Sequence, residues 1–135
     1  MGVRDEMEAR RAKREALRRE ISILQGKISV AREMVLDLNT LKAGISRTKE
    51  QWENQYAVFQ SVEINASVMV ADVFEGNIAE KLSTEIQETT AKMQLTASQM
   101  EYSCTNIASQ VTRLQEYIQE LYQKMQALYV EMTAL

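Results

Sequence analysis

Apolar side chains recur along this chain in two series, each stepping alternately by three and four residues. The first is Leu17, Ile21, Leu24, Ile28, Ala31, Val35, Leu38, Lys42, Ile45, Lys49, Trp52, Tyr56 and Phe59, apolar or aromatic at eleven of thirteen positions. The second is Ile86, Thr90, Met93, Ala97, Met100, Cys104, Ile107, Val111, Leu114, Ile118, Leu121, Met125, Leu128, Met132 and Leu135, apolar at fourteen of fifteen. Seven residues make nearly two turns of an α-helix, so each series forms one seam along a helix that packs on another helix. Two seams of similar reach predict an all-α fold, a long antiparallel helical hairpin or coiled coil. The chain then reads as a single helical domain over 1–135. A first arm runs from about residue 4 to 60, a crossover and turn follow over 61–76, and a second arm covers 77–134.

The first seam is weakest in its middle. Lys42 and Lys49 interrupt it, Leu41 is an alternative to Lys42, and Gly44 lies nearby. An interior glycine costs a helix about 1 kcal/mol relative to alanine. Either a bend or a short break is expected near residues 39–45. Between Phe59 and Asn77 the period fails, and the stretch reads either as a short helix or as an irregular crossover, with a short strand-like run at Ile64–Val70. Asp72 and Asn77 are candidate helix caps there. Gly76 suits the positive φ of a tight turn and a close approach of the two arms.

Composition narrows the function. Gln, Glu, Met, Leu, Ile and Ala are abundant and proline is absent, which suits long helices. There is no histidine and one cysteine, Cys104, so internal disulfides are excluded and the commonest general base is missing. Neither seam carries a glutamate, which a carboxylate metal site inside a bundle would need. No catalytic, cofactor-binding or metal-binding residues are assigned, and no enzyme is expected. Cys104 and the methionines of the second seam read as core. The polar start carries no Sec-type signal peptide, and no apolar run is long enough for a membrane span. A cytoplasmic protein, or one exported together with its partner, is expected.

Residues Arg4–Arg19 hold seven basic side chains interleaved with Asp5, Glu6, Glu8 and Glu15. The interleaving favours a solvated helix end with ion pairs such as Glu6–Arg10 and Glu15–Arg19 over a nucleic-acid or membrane tail. Flanking residues Tyr102, Tyr117, Tyr122, Ala127, Tyr129 and Val130 widen the second stripe beyond a two-stranded seam. The excess is heaviest near the C-terminal end, where the charged start of the first arm offers it little. A further helix from a partner is expected there.

The stretch Phe74-Glu75-Gly76-x-Ile78-Ala79-x-Lys81-Leu82 resembles the W-x-G turn of WXG-type secreted helical hairpins. It is most similar to the small helical proteins encoded beside LXG polymorphic toxins of Gram-positive bacteria. The motif covers about nine residues; the rest of the likeness is architectural. The resemblance implies a turn built on Phe74, Gly76, Ala79 and Leu82, with Phe in place of Trp. It implies an accessory protein, a targeting factor or chaperone, that binds the helical LXG domain of a toxin for type VII secretion. A second small helical protein can join such a complex. The family's Y-x-x-x-[DE] export motif is missing, since Leu121, Gln126 and Thr133 follow Tyr117, Tyr122 and Tyr129 at that spacing; Phe59-x-x-x-Glu63 has the spacing but lies in the first arm. Residues expected at packing or partner contacts are Trp52, Tyr56, Phe59, Leu114, Ile118, Leu121, Met125 and Leu128. The alternative reading is a structural coiled-coil protein that self-associates and has no secretion role, and a homo-oligomer is expected where no partner is present.

Overall fold

The computed structural model describes residues 2–73 and 76–135, with side chains omitted over 63–73. It contains two helices, α1 (Val3–Val73) and α2 (Asn77–Thr133), packed against each other as a hairpin, with no strand among the described residues. The seams account for the packing. Over residues 3–62 every seam position from Leu17 to Phe59 is buried or half-buried, and the only other residue there that is not exposed is Gly44. In α2 all positions from Ile86 to Leu135 are likewise buried or half-buried, and Leu82 and Ala79 extend that seam backwards.

Three local expectations are corrected. α1 is continuously helical through 39–45, so of the bend or short break expected there the break is absent. Leu41 is exposed while Lys42 is half-buried, so the seam keeps its register through the lysine. The long aliphatic stem of lysine can cover apolar surface while its ammonium reaches water. α1 also continues beyond Phe59 to Val73, so this stretch is neither a separate short helix nor an irregular crossover but part of α1; Asp72 thus lies inside a helix and does not cap one.

The hairpin comprises two compact units. One consists of Met1–Asn39 with Ser109–Leu135, the other of Thr40–Ala108. In the first, Lys13 meets Glu131 and Arg32 meets Tyr122, so the helical stretches run antiparallel. This unit holds the buried side chains described: Leu17, Ile21, Ile28 and Ala31 from α1, Val111 and Leu121 from α2. The start of α1 therefore does offer apolar surface to the end of α2, beginning at Leu17. Before it, Arg10 and Arg14 occupy the seam positions and are exposed. The expected ion pairs Glu6–Arg10 and Glu15–Arg19 are not formed; Lys13 reaches across to Glu131 at 3.6 Å.

The second unit is also antiparallel, with Trp52 against Met93 and Lys49 against Glu101. None of its described side chains is buried; its seam positions are half-buried. Polar links along the seam supplement its packing. The Trp52 indole Nε1–H donates to the Met93 carbonyl at 3.0 Å, and Gln94 Nε2 donates to the Tyr56 hydroxyl at 2.9 Å. Lys49 Nζ lies 3.6 Å from Glu53 and 3.7 Å from Glu101. Thr90, a polar seam residue, donates its hydroxyl to the Ile86 carbonyl one turn back at 2.9 Å, which removes the cost of placing an unpaired hydroxyl there.

Candidate interaction surface

The turn is built from its glycine. Gly76 has φ 69°, the left-handed region that residues with a Cβ enter at a cost. Its carbonyl accepts the Glu80 N–H at 3.2 Å, which makes it the capping residue of α2, one position before the expected Asn77. A Cβ built on Gly76 meets nothing within 4 Å, so the requirement is the backbone angle and not a close approach of the arms. Ala79 and Leu82 are half-buried on the seam side of α2. Phe74, expected to anchor the turn, lies outside the described residues, as does Glu75.

The residues expected at packing or partner contacts fall within the intramolecular seam. Trp52, Tyr56 and Phe59 are half-buried on α1, Leu114, Ile118, Met125 and Leu128 half-buried on α2, and Leu121 is buried. Cys104 is also in the seam, half-exposed rather than buried. Its Sγ lies 3.6 Å from Ser46 Oγ and 3.9 Å from the Lys42 carbonyl. Tyr122 is held on one side of the first unit by Arg32, whose guanidinium lies 5.3 Å from the ring centre and donates to the hydroxyl.

The apolar surface left open lies off the seam. In the first unit Ile23 and Val30 are each 58% exposed, Met34 is 48% and Tyr117 is 41%. Met34, Val30 and Ile23 line one groove with Leu114 and Tyr117. The groove continues past Lys27 and Leu24 to Ala127, Leu128 and Lys124. Of these, Tyr117 and Ala127 stood out in the sequence as flanking surplus; Ile23, Val30 and Met34 did not. They follow the same three-and-four rhythm with Lys27 between them, and the stronger seam beside them masks it. Tyr102, Tyr129 and Val130 are also exposed.

Among the described residues no cluster of three or more His, Cys, Asp or Glu could hold a metal ion. No described helix is long and apolar enough to cross a membrane. Comparisons of the chain with protein-family models, curated proteins and solved structures return no match. What the first unit offers is an open apolar groove with Lys27, Lys124 and Glu20 along its edges.

Proposed function

We propose that this protein is an accessory interaction protein, a targeting factor or chaperone, that binds the helical LXG domain of a toxin destined for type VII secretion. The observation that carries the reading is the turn: Gly76, at the glycine position of the motif it resembles, adopts φ 69° and caps a helix whose Ala79 and Leu82 face inward. The exposed groove of the first unit supports a binding role, because a contiguous apolar patch on a small protein marks an interaction site more often than chance. The complex forms between preformed helices, so the contact is helix on helix and driven by apolar burial.

Co-expression with the helical N-terminal domain of the neighbouring toxin tests this. A stable, stoichiometric complex on gel filtration is the expected result. A hairpin that elutes alone, with the toxin domain folded in the same lysate, sinks the reading. Self-association into a four-helix bundle is the second reading, favoured by the same open groove; it predicts a defined homo-oligomer by light scattering that persists when the toxin domain is added.

A further inference from the structure

The groove on the first unit has a shape and charge that specify its occupant. We infer that it binds a single amphipathic helix of another protein, with an apolar stripe flanked by acidic residues. This rests on the reading above of the hairpin as a partner-binding protein, and it names the face and the chemistry of the contact.

The groove follows α1 from Glu20 to Met34. At 1.5 Å per residue this is about 21 Å, roughly four helical turns. That length suits one helix laid along the hairpin. Gly26 and Ala127 both line it, and an added Cβ at Gly26 would meet nothing within 4 Å. Small residues let a helix backbone approach closely enough for its apolar side chains to reach the floor formed by Leu24, Ala31 and Leu114.

The rim supplies the charge preference. Lys27 projects from α1 and Lys124 from α2, on the two sides of the same groove. The cross-helix ion pairs of this hairpin use Lys13 and Lys49, with Glu131 and Glu101, and engage neither rim lysine. A single anion, Glu20, stands at the end of the groove. Glutamates flanking an incoming apolar stripe meet both lysines. A second copy of this chain laid face to face brings two more lysines into the same space, which costs affinity through like-charge repulsion.

The test uses the full chain and two synthetic helices of about 18 residues, roughly five turns. Both carry the same Leu/Ile stripe at three-and-four spacing; one is flanked by Glu and the other by Lys. Binding is followed by fluorescence anisotropy, and the oligomeric state by sedimentation. The Glu-flanked helix is expected to bind saturably at least tenfold tighter than the Lys-flanked one. Val30→Asp is expected to weaken that binding by tenfold or more while leaving helix content and melting unchanged, because Val30 lies outside the seam. The double charge swap Lys27→Glu with Lys124→Glu is expected to reverse the preference between the two helices, and it keeps the test decisive if Val30→Asp disturbs folding. Equal binding of both helices, or a preference unmoved by the charge swap, overturns the inference. So does a wild-type dimer that Val30→Asp converts to monomer, since a second copy then covers the face. The two readings fail separately. If the toxin domain does not co-purify but the Glu-flanked helix binds with the expected reversal, the toxin assignment falls and the groove stands. If the toxin domain co-purifies equally well with Val30→Asp and with the charge-swapped chain, the groove falls and the toxin assignment stands.

Discussion

Two residues show two different ways in which a single position is fixed, one by backbone angle and one by packing with a hydrogen bond. Gly76 is needed for its backbone angle, because the left-handed region costs an L-residue about 1–2 kcal/mol and the space around it is open. Gly76→Ala is expected to lower stability by about that amount, and Gly76→Val by more, since branching at Cβ makes positive φ harder still. Urea unfolding followed by circular dichroism measures both; equal midpoints for the glycine and alanine proteins would remove this account of the turn. Trp52 fills a seam position and also ties the arms together through its bond to the Met93 carbonyl. Trp52→Phe keeps the ring and loses the donor. It is expected to cost about 1 kcal/mol, the usual net worth of a neutral hydrogen bond. No measurable loss in Trp52→Phe beside a large loss in Trp52→Ala would mean that ring packing and not the bond holds this site.

At the level of the helices, the sequence pattern was a close guide to the packing and a poor one to the ends. All thirteen positions of the first seam and all fifteen of the second are buried or half-buried. The 3,4 spacing determines which side of each helix faces inward, so it carries this information whatever each residue's own preference is. The break expected at 39–45 rested on intrinsic propensity, and propensity differences of about 1 kcal/mol are small beside the packing of a long seam. The same weakness placed the end of α1 near residue 60, because loss of apolar period was read as loss of helix. A helix can continue without a seam, and α1 does so to Val73. The candidate site was legible only in part. The turn glycine was visible, while Ile23, Val30 and Met34 were overshadowed by the stronger stripe next to them. Gly44 then becomes a correctable weakness in a continuous helix. An added Cβ there meets nothing within 4 Å. Gly44→Ala is expected to stabilise by about 0.5–1 kcal/mol, or roughly 3 °C in melting temperature. A lowered melting temperature would show that the residue serves a bend.

For the molecule as a whole, the core is unevenly distributed. The buried side chains described belong to the unit of Met1–Asn39 and Ser109–Leu135, whereas the unit of Thr40–Ala108 relies on half-buried contacts and polar links. Opening free energies within one protein follow local apolar burial. Amides around Leu17–Ala31 and Val111–Leu121 are therefore expected to exchange slowest, and those around Ile45–Tyr56 and Met93–Cys104 faster by tenfold or more. Hydrogen exchange read by mass spectrometry separates the two; uniform protection would show that the polar links hold as firmly as the buried core.

The two unbroken seams carry a consequence for length. Inserting one residue into either helix turns everything beyond it by about 100°, which would bring the seam round to water. Seven residues restore the phase almost fully. Removing one heptad from α1 within residues 42–59, and the facing heptad from α2, should leave a shorter hairpin whose first unit and groove are unaltered. The shortened chain is expected to bind the same helix with the same affinity, measured by anisotropy, while single-residue deletion at either place abolishes cooperative melting. In such a hairpin the reach of the arms is free to drift in steps of two turns, while the face presented to a partner is held fixed.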